Sequence, residues 1–107
     1  MKTQLEQLKA LADRNRMRIV AALMNTDELC ACHISEMLGV SGATASRHME
    51  LLIRAGLIDS RKSGRWVHYT LSPAFPAPLR EWLEKPLSKD PDIKADRGNV
   101  RKITGCA

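Results

Sequence analysis

"ACHISEMLGVSGATASRHMELLIRAG", residues 31–56, decides the fold. It reads as helix, short turn, helix. Ile34, Met37 and Leu38 share one face of a helix over residues 31–38, the spacing of an apolar stripe with a 3.6-residue period. Gly39 follows as a left-handed turn residue, and residues 39–41 make the turn. Ser41 stands where its hydroxyl can cap a second helix, 42–55, by accepting a free N–H of the first turn. Along that helix Ala45, Met49 and Leu52 face the core, while Thr44, Arg47 and His48 point another way. Gly56 ends it.

The chain on either side supplies the rest of a small domain. Leu5, Leu8 and Ala12 line one face of a helix over residues 2–12. Asp13 is placed to cap the next helix, 14–24, whose stripe is Ile19, Val20, Leu23 and Met24. "NTDE", residues 25–28, breaks the pattern with turn and capping residues. After Gly56 the period changes. "LIDSRK", 57–62, and "WVHYTL", 66–71, are strand-like. Val67, Tyr69 and Leu71 alternate with Trp66, His68 and Thr70, a half-buried strand pattern, and Gly64 suits a tight hairpin turn. Leu79, Trp82 and Leu83 predict a last helix within residues 74–85, stopped by Pro86. Residues 86–107 are polar, with two prolines and two glycines, and read as a mobile tail carrying Cys106. The expected organisation is therefore a domain over residues 1–85 and a flexible tail over 86–107. The fold class is mainly α with a β-hairpin, in the order of a winged helix-turn-helix.

Composition narrows the partners. The chain has 107 residues, enough for one core, and a formal net charge of +5. A small basic domain favours an anionic partner, with nucleic acid the foremost candidate. Aromatic residues make up only 4%, too few for a platform that stacks single-stranded bases. No apolar run approaches the roughly 20 residues needed to span a bilayer, and the N-terminus lacks the apolar stretch of a secretory signal. A cytoplasmic protein with reduced thiols and no membrane partner is expected.

The second helix and the hairpin carry the DNA chemistry. Gly42, Ala43, Thr44, Ala45 and Ser46 are small, which lets the helix N-terminus approach a major groove, where its N–H groups and dipole also favour a phosphate. Thr44 and Arg47 can bond base edges or phosphates, and His48 can reach phosphate. "RKSGR", 61–65, concentrates charge at the hairpin tip and suits the sugar-phosphate backbone or the minor groove. The DNA-binding set read from the sequence is Ser41, Thr44, Ser46, Arg47, His48, Arg61, Lys62 and Arg65. For the tip alone, charges that merely solvate a turn are the competing reading.

"ELCACHIS", 28–35, holds Cys30 and Cys32 with His33 beside them. The pair is either two small buried residues or a thiolate site, favoured at a helix N-terminus by the dipole. A redox enzyme would want C-x-x-C and a βαβ unit. Both are missing, as is any Ser/His/Asp or paired-carboxylate arrangement, so no enzyme is expected. On an α-helix residues i and i+2 lie about 200° apart around the axis. One ion held by both sulfurs then needs a non-helical backbone, and if residues 30–32 are the first helical turn, chelation must bend or unwind it. His33 reads as a solvated or helix-capping residue more than as a ligand.

"SGATASRHMELLIRAGLIDSRKSGRWVHYTLSP" and the upstream "ELCAC" resemble the ArsR-type metalloregulators, the repressors of arsenical-resistance operons and their metal-sensing relatives. The resemblance covers roughly residues 5–84. It implies a homodimer whose contact is made by the helices at 2–12 and 74–85, reading a pseudo-palindromic double-stranded operator. It also implies release when As(III) or Sb(III) binds Cys30 and Cys32, with no resident cofactor required. Arsenic-sensing members with one such helix carry a third cysteine where this chain has Ser35. The third ligand here is then Cys106, a small external thiol or water. Cadmium and lead sensors share the C-x-C but add cysteines from an N-terminal extension, and no cysteine precedes Cys30 here. Zinc sensors often use His and acidic residues on the last helix, and "APLREWLEK" has no His. A soft divalent ion or thiol oxidation of the same pair are the alternative inducing signals.

Overall fold

In a computed structural model the described residues are 1–104. Cys106, expected as a tail ligand, lies outside them. Six helices and a small sheet are described: α1 (Lys2–Leu11), α2 (Arg14–Asn25), β1 (Leu29–Cys30), α3 (Ala31–Leu38), α4 (Gly42–Arg54), β2 (Ile58–Ser63), β3 (Trp66–Leu71), α5 (Ala77–Lys89) and α6 (Pro91–Thr104). No helix among the described residues is long and apolar enough to cross a membrane.

Local chemistry explains the helix borders. The Asp13 carboxylate accepts the Arg16 N–H at 3.0 Å and caps α2. Gly39 closes α3 at φ 68°, a backbone state that L side chains resist. The Ser41 hydroxyl accepts the Thr44 N–H at 3.2 Å and starts α4. The Ser35 hydroxyl donates to the Val40 carbonyl at 2.7 Å, bracing the turn between α3 and α4. These devices hold the helix-turn-helix that the apolar pattern predicts.

One core lies beneath these elements. Ile19 and Val20 of α2, Ile34 of α3, Met49 and Leu52 of α4, and Leu57 and Ile58 leading into the sheet are all essentially inaccessible to water. Burying a side chain of this kind stabilises by about 1.5–3 kcal/mol.

The sheet is three-stranded and antiparallel, in the order β1-β3-β2. The β2–β3 hairpin runs from Ile58 opposite Leu71 to Ser63 opposite Trp66, with Gly64 at φ 61° in its turn. β1 is an addition to the hairpin expected from sequence. Two residues carry no readable alternation, yet Leu29 pairs with Tyr69 and Cys30 with His68. This pairing fixes the first cysteine on the edge of the wing sheet.

The C-terminal part departs from expectation. Pro86 does not stop α5, which continues to Lys89. Proline cannot donate to the carbonyl four residues back, but Trp82 and Pro86 are both exposed, so water can serve that carbonyl. Residues 91–104, expected as part of a mobile tail, form α6. The Asp90 carboxylate accepts from the Asp92 and Ile93 N–H groups at 2.8 and 3.4 Å and starts the helix. Ile93 is buried, and Asp96 is 4% exposed. Both Asp96 oxygens accept from Arg18 of α2 at 2.8 Å, and the same guanidinium donates to the Met37 carbonyl of α3 at 3.1 Å. A charged clasp thus docks α6 on the helix-turn-helix.

Candidate DNA interface and thiol site

The start and exposed face of α4 carry four of the eight residues expected to meet DNA. Ser41, Thr44, Ser46 and Arg47 are all exposed. Ser41 donates its hydroxyl to the Thr44 hydroxyl at 3.0 Å, so the polar groups at this helix start are bonded to one another and still face water. Gly42 has open space where a side chain would project. The N-terminal turn of α4 is therefore narrow, polar and accessible.

His48 is less accessible than these four residues. Its side chain is only 15% exposed and its Nδ1 lies 3.9 Å from Asp13 and 3.3 Å from the Arg16 guanidinium. Arg16 also donates to the Ala10 carbonyl at 2.6 Å. The histidine is thus packed against the α1–α2 junction, one helical step round from Arg47. Burial raises the Asp13 carboxyl. The Arg16 amide and guanidinium and His48 outweigh it, so the group sits below the usual carboxylate range.

The wing divides its three cations. Lys62 and Arg65 are exposed, and among the described residues neither has an ion-pair partner. Arg61 instead donates to both Glu28 oxygens, at 3.0 and 3.3 Å, and His68 Nδ1 lies 3.4 Å from the same carboxylate. The hydrogen bond from Arg61 lowers the Glu28 carboxyl. From sequence alone Glu28 belongs to the turn at residues 25–28. The only signal for it was the wing register, which cannot be read until β1 is known.

Cys30 ends β1 and is the N-cap of α3, with an extended backbone at φ −81°, ψ 162°. Cys32 sits in the first turn of the helix. Cys30 is buried, Cys32 exposed, and both are free thiols. A ligand atom from each, together with a ring nitrogen of His33, lies within 4.8 Å of the others. The non-helical backbone that one shared ion needs is already present at Cys30. Because Cys30 is already outside the helix, the two sulfurs approach one another without unwinding a turn. Three such donors around one tetrahedral ion would stand about 3.8 Å apart for a metal–sulfur bond of about 2.3 Å, so the arrangement suits an ion with a small closure. Cys30 is also the main reason the Cys32 thiol is pushed up: the neighbouring sulfur bonds and repels it, burial adds to this, and the His33 and Cys32 amides oppose it only in part. His33 fulfils its capping role, since its Nδ1 accepts the Cys30 N–H at 3.3 Å.

The family described as "Bacterial regulatory protein, arsR family" matches residues 13–60. The chain is 45% identical over 73 residues to the arsenical resistance operon repressor of Escherichia coli K12, covering 68% of this chain and 62% of that protein. It is 46% identical over 61 residues to the cadmium resistance transcriptional regulatory protein CadC of Listeria innocua, covering 57% of this chain and 51% of that one. It therefore spans less than two thirds of these two relatives. A longer match, 32% identical over 96 residues, covers 90% of this chain and 84% of the arsenic resistance transcriptional regulator ArsR2 of Pseudomonas putida. Among solved structures, HlyU of Vibrio cholerae is similar at a TM-score of 0.66 and 31% identity, covering 78% of this chain and 86% of that one. A homodimeric winged helix-turn-helix DNA-binding domain from Mycobacterium bovis has the same fold, at a TM-score of 0.66 and 23% identity over 77% of this chain and 72% of that one.

Proposed function

The chain belongs to the ArsR family of bacterial regulatory proteins, and from that premise we propose that it is a homodimeric repressor released from operator DNA by a thiol-binding metalloid. The observation that carries this reading is the position of the thiols. Cys30 and Cys32 meet at the first turn of α3, and α3 is joined to the exposed helix α4 by a three-residue turn.

In this reading α4 enters the major groove by its N-terminal turn. Ser41, Thr44, Ser46 and Arg47 meet base edges and phosphates there, and Lys62 and Arg65 of the wing meet the backbone. Arg61 joins them only by leaving Glu28. The dimer contact uses α1 and α5. Leu5, Leu8 and Trp82 are 47%, 54% and 70% exposed, and the last two border an apolar groove of about 450 Å³ with Pro76, Pro78 and Leu79. A second copy of the chain covers that face in the dimer.

The inducer chemistry follows from the donors. Soft centres select thiolates. When arsenite binds, each thiol gives its proton to an arsenite hydroxide, which leaves as water, and two As–S bonds form. The third position is kept by hydroxide or taken by a small thiol or by Cys106. Drawing the two sulfurs together shifts the start of α3. The other end of that helix is tied by Ser35 to Val40 and by Arg18 to the Met37 carbonyl, so the shift is passed to the turn before α4. Inducer and DNA then favour different arrangements, as negative coupling requires. Similarity to a cadmium-resistance regulator, with a ring nitrogen beside the two sulfurs, supports a soft divalent ion as the second reading.

The test is operator binding followed by fluorescence anisotropy under reducing conditions while arsenite is added. Release by arsenite that is lost in Cys30→Ser and Cys32→Ser is expected. Release that survives Cys30→Ser sinks the site, and release by peroxide alone favours thiol oxidation as the signal.

A further inference from the structure

We propose that His33 is the third ligand of the Cys30–Cys32 site for a soft divalent cation, an inference that rests on those thiols being the effector site. Three donors lie within 4.8 Å of one another: a buried sulfur, an exposed sulfur and a half-buried imidazole nitrogen. The ring is already aimed at the site, because its Nδ1 accepts the N–H of Cys30 itself. That bond is long, at 3.3 Å, so it holds the ring in place weakly enough for an ion to replace it.

The neighbouring oxygen donors are committed elsewhere. The Ser35 hydroxyl serves the Val40 carbonyl. One guanidinium nitrogen of Arg61 donates to both oxygens of the Glu28 carboxylate, which also faces His68. His33 has no comparable competing partner: among the described residues it enters no ion pair.

The donor set distinguishes two classes of ion. Two thiolates and an imidazole suit a divalent centre of the zinc and cadmium type, which takes nitrogen and sulfur together in a tetrahedral shell. The fourth position stays open to water or a small thiol. Trivalent arsenic bonds the same two sulfurs and fills its third position with hydroxide or a further thiol, so it makes no use of the ring. One pair of cysteines then serves both classes, and His33 is the residue that separates them. The ring also links the divalent ion to the helix: a nitrogen given to the ion is withdrawn from the cap of α3.

His33→Gln is the discriminating variant. Glutamine at the third helical position can still reach back to the N-cap amide, so the fold and helix content are retained, but its amide is a poor ligand for a soft ion. Cd(II) and arsenite affinities are measured by competition against a chelator and a dithiol, with helix content checked by circular dichroism. Loss of outer partners of metal ligands already weakens metal binding about 10–100-fold, so at least a tenfold loss of Cd(II) affinity is expected, with arsenite affinity unchanged within about twofold. In the wild-type chain the imidazole 15N resonances of His33 should move on adding one equivalent of Cd(II) and stay in place with arsenite. Unchanged Cd(II) affinity in His33→Gln, or His33 resonances that do not respond to Cd(II), overturns the proposal. Cys30→Ser separates the two levels. If it loses both ions while His33→Gln loses neither, only the third-ligand assignment falls. If it keeps both, the thiol site itself falls.

Discussion

The start of α4 and the middle of α6 are both polar, and they use polarity in opposite ways. Ser41 and Thr44 bond each other across three residues and stay in water. Asp96 bonds Arg18 across 78 residues and leaves water almost completely. Short-range bonds satisfy a helix end locally and leave its surface available for DNA. The long-range bond fastens one helix to two others, and its groups have nothing left to offer a partner. The difference teaches that a polar cluster becomes an interface when its bonds close locally, and a structural joint when they close at a distance.

Breaking the joint should have the largest effect. With side chains 16% and 5% exposed, Arg18 and Asp96 have lost most of their hydration, and removing one leaves the other uncompensated. Asp96→Ala should therefore cost about 3–5 kcal/mol in urea unfolding, with loss of hydrogen-exchange protection along α6. Replacing both residues by apolar ones of similar volume should recover much of that loss, because the isolated charge is then gone. A cost within about 0.5 kcal/mol for Asp96→Ala would mean that α6 is not held by this pair.

The opposite pattern is expected at the interface. Arg47→Ala removes an exposed side chain with no ion-pair partner among the described residues, so stability should stay within about 0.5 kcal/mol. Operator affinity should fall by about 1–3 kcal/mol if Arg47 reads a base, with arsenite affinity untouched. The neighbouring His48→Ala should reverse this, lowering stability by about 0.5–1.5 kcal/mol through its lost contact with Arg16 and leaving operator affinity nearly unchanged. Equal effects of the two variants on DNA would erase the distinction between the exposed and inward sides of α4.

Much of this contrast is readable in the chain, for a physical reason. The helix-turn-helix is written in local terms: the stripe of Ile34, Met37 and Leu38, the glycine at 39 and the cap at 41 each act within a few residues. The structure bears out this unit and the hairpin after it. What is not local was not legible. Ile93, Val100 and Ile103 are spaced for a helix face, but Asp96 interrupts them, and only Arg18 makes its burial tolerable. His48 and Arg47 are adjacent in sequence, and nothing short of Asp13 and Arg16 in place tells which of them turns inward. The thiol geometry is not local either: i and i+2 are far apart on a helix, but Cys30 belongs to a two-residue strand that exists only because β3 pairs with it.

Asp13 lies between the two extremes and should give the smallest effect. It caps α2 locally through the Arg16 N–H, and its carboxylate also faces the Arg16 guanidinium and His48. Burial opposes ionisation, but these partners prevail and hold the folded group below its ordinary value of 3.8. The charged form therefore stabilises the fold above pH 3.8, and that contribution is lost as the pH falls through the depressed folded value. Asparagine keeps the cap acceptor and discards the charge. Since the side chain is 34% exposed, Asp13→Asn should cost only about 0.3–1 kcal/mol at neutral pH, toward the lower end of what a charge gains at a helix start. Urea midpoints of the two proteins, compared at neutral pH and then in steps into the acid range, should converge below pH 3.8. A gap that persists there would assign the loss to cap geometry, and the charge of Asp13 would then belong with the surface of α4, which faces water, and not with the clasp of α6.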